Sequence, residues 1–222
     1  MKKNIHTNKK EFTTYINFIL DKSGSMEDCL EGTIGGFNNY VRDLKKKGGD
    51  IRFSLTLFDN VSIDKLYVNT PIKNVDLLNT STYRPNGGTP LYDAAVDAIE
   101  EASEYIKRLE KKPLVITVIM TDGMENASKR HDQSCLRDIQ EKLTKEGNWT
   151  FVFLGANQDS YSTASNIGTP VANAGNFQAS NAGSVFAMSS LSRGTETLMK
   201  SAQTTGVLRS ANFFAGIETE VK

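Results

Sequence analysis

The chain is poor in cysteine and histidine and has no excess of either charge. It contains two cysteines and two histidines in 222 residues. Cys29 and Cys135 lie far apart and outside any Cys-x-x-Cys motif, so the sequence indicates neither a disulfide framework nor a zinc site, as is typical of a reducing compartment. The 26 basic residues balance the 26 acidic ones, whereas domains that bind nucleic acid through bulk electrostatics usually carry a basic excess. We therefore expect no nucleic-acid partner.

Long hydrophobic runs are absent as well. The basic start of the chain, residues 1–10, is not followed by the apolar segment of a signal peptide, because polar side chains such as Glu11 and Asn17 interrupt it. No run approaches the length of a membrane-spanning helix. We expect a cytoplasmic protein with no membrane partner, and export without a leader is the alternative.

The apolar sequence that is present suffices for one packed domain. Hydrophobic residues make up 38% of the chain, which argues against global disorder, and the length matches one α/β domain. We expect a polar lead-in at residues 1–13, the domain at residues 14–205 and a C-terminal extension at residues 206–222.

Apolar runs and alternating patterns predict the strands. Tyr15–Leu20, Leu114–Met120 and Thr150–Leu154 are continuous apolar segments that are typical of buried parallel strands. Ile51–Phe58 alternates with period two and predicts a further strand, and Val61–Val68 predicts its antiparallel partner at one edge of the sheet. A short last strand is expected within residues 170–177.

Helical spacing of apolar residues alternates with these strands. The helices are predicted over Glu27–Lys47, from Pro90 through Leu109, from Leu136 to near Gly147, over Ser160–Ile167, and from a cap at Asn181 or Ser184 toward Ser201. The order of elements predicts a doubly wound, Rossmann-like α/β fold. Its sheet is mainly parallel with one antiparallel edge strand, and helices cover both faces.

Oxygen-bearing side chains follow or precede these elements at three separate places. Asp21, Ser23 and Ser25 follow the first strand, Thr89 precedes a helix, and Asp122 follows the Leu114–Met120 strand. Because ligands of open α/β sheets bind beyond the carboxyl ends of the strands, these side chains should converge. Oxygen donors without histidine or cysteine suit Mg²⁺, with Mn²⁺ or Ca²⁺ as alternatives.

The same residues resemble a known motif. Asp21-x-Ser23-x-Ser25, Thr89 within Gly-Gly-Thr-Pro-Leu-Tyr-Asp, and Asp122 within Thr-Asp-Gly resemble the metal-ion-dependent adhesion site (MIDAS) of von Willebrand factor type A (vWA) domains. The resemblance is greatest to stand-alone bacterial and phage members. It implies that all five residues hold the metal, directly or through water. It also implies that a protein partner supplies an Asp or Glu carboxylate, with self-association as a variant.

Each part of this motif also has a simpler interpretation. Ser25 with Asp28 fits a capping box, Thr89 before Pro90 fits a helix N-cap, and Asp122-Gly123 fits a plain turn. The combination of three loops favours the metal site over these separate interpretations.

Further residues border the predicted site. Asp59 is expected at its rim, not as a ligand, and Tyr83 and Arg84 are expected at a partner interface because binding residues concentrate on loops. The remaining assignments are Asn157 and Asp159 as border residues, Glu125 and Asn126 as partner surface or solvated turn, His6 and His131 as surface residues, and Trp149 as a packing residue.

These features favour a metal-dependent protein-binding module over an enzyme. The main alternative is a Mg²⁺-dependent phosphoryl-transfer enzyme with Asp21 as nucleophile. Such enzymes commonly need a positioned Lys or Arg, and only Lys22 is close in sequence. A scaffold with a vestigial site is a third hypothesis.

Overall fold

The computed structural model describes residues 12–156 and 159–219. This part of the chain forms six strands and five α-helices. The strands are β1 (Thr14–Asp21), β2 (Ile51–Phe58), β3 (Ile63–Pro71), β4 (Leu114–Thr121), β5 (Trp149–Ala156) and β6 (Ala174–Phe177). The helices are α1 (Leu30–Lys47), α2 (Leu91–Lys107), α3 (Gln133–Thr144), α4 (Ser160–Asn166) and α5 (Asn181–Thr205).

The strands form one sheet in the order β3-β2-β1-β4-β5-β6. Only β3 runs antiparallel to its neighbour, and its pairing with β2 contains register shifts at Phe53/Leu55 and Leu55/Thr56. Asp21 lies opposite Phe58 of β2, and Leu20 lies opposite Met120 of β4. The predicted doubly wound sheet with one antiparallel edge strand is confirmed. Since β1 lies centrally between β2 and β4, loops from three neighbouring strands meet above it.

Two hydrophobic clusters cover the faces of the sheet. Phe18, Phe53 and Met120 point toward one cluster, which includes side chains of α1 and α5. Ile19 and Ile119 point toward the other, which includes side chains of α2, α3 and α4. Because both faces are covered, the central strands are continuous apolar runs.

Helices α1 and α5 pack with close backbone approach. A Cβ atom at Gly32 would overlap the backbone of Asn181, and one at Gly36 would lie 2.8 Å from Cγ of Met188. Small residues at these two positions therefore allow α5 to lie against α1.

Several predicted boundaries need correction. The first helix was predicted from Glu27, but α1 begins at Leu30 and a 3₁₀ turn over Gly24–Cys29 precedes it. The edge strand is displaced toward the C-terminus, because the Asp59 carboxylate accepts hydrogen bonds from the N–H groups of Val61 and Ser62 and so extends the turn.

The predicted cap of the last helix is also wrong. Ser180, not Asn181 or Ser184, caps α5, because its backbone is extended and its hydroxyl accepts a hydrogen bond from the N–H of Gly183 at 3.1 Å. The Asn181 side chain instead accepts from the N–H of Gly32 at 2.7 Å.

The segment after α5 packs against the sheet. Phe213 and Phe214 are buried, and the side chain of Asn173 accepts a hydrogen bond from the N–H of Phe213 at 2.7 Å. Within the described ranges, no helix combines the length and the apolar character needed to cross a membrane.

Candidate metal centre

Asp21 is the last residue of β1 and is fully buried. Its Oδ1 atom accepts a hydrogen bond from the N–H of Ser23 at 2.6 Å, and its Oδ2 atom accepts one from the hydroxyl of Thr121 at 2.5 Å. Thr121 ends the neighbouring strand β4. The Asp21 carboxylate therefore has a fixed orientation between two strand ends. It also holds the start of the loop of residues 22–25, which we call the serine loop.

The serine loop also contacts the loop after β4. The hydroxyl of Ser25 donates to Oδ1 of Asp122 at 2.5 Å and lies 3.3 Å from the hydroxyl of Ser23. Residues separated by almost a hundred positions in sequence are thus in direct contact.

Thr89 completes the convergence. A Cβ atom built on Gly123 would lie 3.1 Å from Oγ1 of Thr89, 3.5 Å from Oγ of Ser25 and 4.0 Å from Oγ of Ser23. Three hydroxyls from two loops therefore surround one small space next to Gly123. The structure brings all five residues of the predicted site together.

The composition of the site fits a hard divalent cation. Oδ2 of Asp122 is buried, and within the described part of the chain it has no hydrogen-bond partner. A buried carboxylate oxygen without a partner is unfavourable unless a cation or water satisfies it. No cluster of three or more His, Cys, Asp or Glu side chains suited to a metal occurs among residues 12–156 and 159–219. The five converging residues offer two carboxylates and three hydroxyls, a set of hard oxygen atoms of the kind that Mg²⁺ prefers.

Burial makes the charged forms of the Asp21 and Asp122 carboxylates unfavourable in the absence of a cation. Burial raises the pKa of Asp21 to about 6, although hydrogen bonds from Thr121 and Ser23 lower it in part, and the nearby Asp122 charge raises it further. Burial likewise raises the pKa of Asp122, with an opposing effect from Ser25. A cation bound between these groups would favour both charged forms.

Comparisons with known proteins identify the fold. No family model and no curated protein matches the sequence. Among solved structures, the mussel byssus proximal thread matrix protein 1 with a zinc-occupied MIDAS motif has a TM-score of 0.58 at 16% identity, over 82% of this chain and 47% of that chain. The SpRpn10 VWA domain has a TM-score of 0.55 at 12% identity, over 81% of this chain and 95% of that chain. The chain has the vWA fold.

A third structure with a similar fold contains manganese. The manganese-loaded Plasmodium vivax TRAP protein has a TM-score of 0.52 at 15% identity, over 80% of this chain and 73% of that chain. The present chain spans about half the length of the mussel protein. At these identities the similarity establishes the fold alone.

Within this vWA fold, the hydrogen bonds do not match the capping interpretations of Ser25 and Thr89. Ser23 precedes the 3₁₀ turn and Pro90 precedes α2, and neither makes a side-chain cap. The hydroxyl of Ser25 donates to Asp122. Oε2 of Glu125 accepts the N–H of Tyr92 in the first turn of α2 at 3.0 Å. The hydroxyl of Thr89 is therefore not used to cap the helix.

Asp59 is buried in an ion pair with Lys22. Its carboxylate binds the ammonium group of Lys22, which is also 3.0 Å from the hydroxyl of Ser62. The Lys22 side chain is 9% exposed and that of Asp59 is 3% exposed, so this pair ties the serine loop to the end of β2. The Lys22 charge is thereby neutralised beside the site.

The prediction that Tyr83 lies at a partner interface is wrong. Tyr83 is fully buried, and its hydroxyl donates to the backbone carbonyl of Asp21 at 2.6 Å. The loop that carries it folds inward over the end of β1, where an aromatic ring fills space that a polar side chain would not. Arg84 is exposed.

Asp159, predicted at the border of the site, and Trp149, predicted to pack, both have structural partners. Asp159 caps α4 by accepting the N–H of Ser162 at 3.0 Å, and Trp149 is buried and stacks on Phe151. His131 is half-buried near Asp97. Asn157 and His6 lie outside the described residues.

Sequence reasoning missed what holds the site loops. Asp93 of α2 accepts the backbone N–H groups of Lys129, Arg130 and His131. Oδ1 of Asn60 accepts the N–H of Gly88, and Oδ1 of Asn126 accepts the N–H of Thr89. Such contacts between loops follow no sequence period, and only the turn-forming character of Asn60 and Asn126 marks them.

Proposed function

We propose that the chain is a divalent-metal-dependent protein-binding module. Asp21, Ser23, Ser25, Thr89 and Asp122 would hold Mg²⁺, with Mn²⁺ or Ca²⁺ as alternative ions. The observation that carries the proposal is the partnerless, buried Oδ2 of Asp122 beside three converging hydroxyls. The zinc-occupied mussel MIDAS and the manganese-loaded Plasmodium structure support it by fold similarity.

The partner would contribute an acidic residue. Two carboxylates and three neutral hydroxyls only partly satisfy a cation that prefers six or more oxygens, so a carboxylate from another molecule is a favourable additional ligand. That partner could be a different protein or a second copy of this chain.

Two exposed apolar side chains suggest what surrounds the partner's acidic residue. Met124, next to Gly123, is 68% exposed, and Val61, in the loop after β2, is 73% exposed. Each lies in a loop that follows a strand next to β1, β4 for Met124 and β2 for Val61. We propose that apolar side chains of the partner pack on Met124 and Val61, and that Arg84 remains a candidate contact.

Phosphoryl transfer is less well supported than binding. A nucleophilic Asp21 would need an accessible carboxylate and a free cation for the phosphoryl group. Asp21 is buried with both oxygens hydrogen-bonded, and Lys22 is paired with Asp59. Turnover of a generic phosphate ester with Mg²⁺ that disappears in Asp21→Asn would favour this alternative.

Metal titration tests the proposal directly. Mg²⁺ or Mn²⁺ added to EDTA-treated protein should release binding heat, and Asp21→Ala and Asp122→Ala should abolish it. Asp76→Ala, which removes an exposed carboxylate outside the site, is the matched control and should bind metal normally. Partner capture by immobilised protein should then require the metal and be reversed by EDTA. Equal metal binding by the Asp21 and Asp122 variants would contradict the proposal.

A further inference from the structure

Thr89 differs from the other site residues in how its backbone is held. Asp21 ends strand β1 and Asp122 directly follows β4, so the sheet fixes both. Thr89 instead lies at the end of the long connection between β3, which ends at Pro71, and α2, which begins at Leu91. No strand directly precedes it, and its position before the helix must depend on contacts with other loops.

Other loops supply these contacts to each residue from 86 to 89. The N–H of Asn86 donates to the carbonyl of Lys22 at 2.8 Å, and the carbonyl of Gly87 accepts the N–H of Gly24 at 2.9 Å. The serine loop therefore holds the beginning of this segment.

Two asparagines hold its end, and they do so in the same way. The backbone N–H of Asn60 donates to the carbonyl of Gly88 at 3.0 Å, and Oδ1 of Asn60 accepts the N–H of Gly88 at 2.9 Å. The backbone N–H of Asn126 donates to the carbonyl of Thr89 at 3.1 Å, and Oδ1 of Asn126 accepts the N–H of Thr89 at 2.8 Å. Each asparagine thus satisfies both backbone polar groups of one residue.

The fit between the asparagines and the segment is close. A Cβ atom at Gly87 would overlap Oδ1 of Asn60, and one at Gly88 would lie 2.8 Å from Oδ1 of Asn126. Gly87 also has a φ of +69°, which favours glycine. The two glycines therefore allow both amide groups to reach the backbone.

We propose that Asn60 and Asn126 are positioning residues that hold the Thr89 hydroxyl at the metal. We call the pair the asparagine clamp. This inference rests on the proposed function, because it assumes that Thr89 faces a bound cation. Asn60 acts through the backbone of Gly88, and Asn126 acts through the backbone of Thr89. Outer-shell contacts of this kind typically change metal affinity by about 10–100-fold when they are removed.

Mn²⁺ is a suitable probe, because it reports both affinity and bound water. Binding is measured by electron paramagnetic resonance of free Mn²⁺, and the number of water molecules on the ion by water-proton relaxation. Asn60→Ala and Asn126→Ala should each weaken Mn²⁺ binding by about 10-fold or more. Each should also increase the number of bound waters by about one, as Thr89→Ala should, since water replaces a lost hydroxyl.

Asn79→Ala is the matched control. Asn79 is exposed, and its side chain also accepts backbone N–H groups, those of Ser81 at 2.8 Å and Thr82 at 3.2 Å, but within its own turn. This variant should leave Mn²⁺ affinity and bound water unchanged. In the Thr89→Ala background, Asn126→Ala should add little to either measurement. Asn126→Asp, which keeps the acceptor oxygen, should restore the water number of the unaltered chain.

The outcomes separate the clamp from the proposed function. If the unaltered chain binds Mn²⁺ and the folded Asn60→Ala and Asn126→Ala variants match it in affinity and bound water, the clamp is refuted and the metal site stands. The clamp is also refuted if the effects of Asn126→Ala and Thr89→Ala on Mn²⁺ affinity are fully additive. Absence of Mn²⁺ binding by the unaltered chain would overturn both. If one alanine variant does not fold by circular dichroism, the other variant and Asn126→Asp decide the result.

Discussion

A single methyl group at Gly123 should abolish metal binding without removing any of the proposed ligands. The Cβ atom of Gly123→Ala would lie 3.1 Å from Oγ1 of Thr89 and within 4.0 Å of the hydroxyls of Ser23 and Ser25. Oxygen ligands of Mg²⁺ lie about 2.0–2.1 Å from the ion, so a methyl group and the ion would compete for this space.

The size of the effect follows from linkage between binding and unfolding. At a Mg²⁺ concentration of about 100 times Kd, binding stabilises the folded chain by about 2.7 kcal/mol. Each kcal/mol shifts Tm by about 2–4 °C in a domain of this size, so the unaltered chain should gain about 5–11 °C. Gly123→Ala should gain nothing from Mg²⁺.

The metal-free variant should remain as stable as the unaltered chain. Gly123 is not among the glycines with positive φ, so alanine is compatible with its backbone. A tolerated Gly→Ala change stabilises by about 0.4–1 kcal/mol through the unfolded state, which offsets the small movement needed at the Thr89 hydroxyl.

Differential scanning fluorimetry with and without Mg²⁺ measures both quantities. Gly35→Ala is the control, since a Cβ atom there meets nothing within 4 Å, and it should keep the full response to Mg²⁺. A Gly123→Ala variant that still gains several degrees on Mg²⁺ addition would refute the placement of the ion among these hydroxyls.

Three further predictions concern the stability of the folded chain. Lys22→Met leaves the buried Asp59 carboxylate without its ion-pair partner and should lower the free energy of unfolding by about 3–5 kcal/mol, measured by urea denaturation. The double variant with Lys22→Met and Asp59→Asn should recover part of this loss. For Asp93, burial raises the pKa, but three backbone N–H groups and Arg130 lower it below 3.8 overall. Its stabilising contribution is therefore present above pH 3.8 and is lost as the pH falls below that value, and Asp93→Asn should show a shallower loss of stability in acid. Phe213→Ala removes a buried ring beside α5 and should destabilise by about 3–5 kcal/mol, whereas an unchanged urea midpoint would show that the segment after α5 adds nothing to the core.

The sequence allowed the sheet and the central site residues to be predicted for one physical reason. Strands that are buried on both faces must be continuously apolar. The apolar runs Tyr15–Leu20 and Leu114–Met120 therefore predict both that a strand is present and where it ends. Polar residues directly after such strands lie at the same edge, as Asp21 and Asp122 do. That these residues bind metal remains a prediction.

The contacts between loops could not be predicted in this way. Tyr83 lies in a polar loop, and nothing in its neighbours signals that the ring turns inward to donate to Asp21. Glu125 caps a helix from another part of the chain, and Asn60 and Asn126 bind a segment far from them in sequence. Such pairings depend on tertiary structure alone. The cap of α5 at Ser180 was missed because several neighbouring residues have similar capping tendencies.

The irregular pairing of β3 makes edge-to-edge pairing with another molecule unfavourable. An open sheet edge with regular geometry can recruit strands from neighbouring molecules and lead to aggregation. In β3, Asn69 has a φ of +48°, the register with β2 shifts twice, and Pro71 has no N–H to donate. The outer edge therefore presents a bent, interrupted row of donors and acceptors. An edge of this shape makes a poor template for strand addition, even though it carries the exposed apolar side chains of Leu66 and Val68.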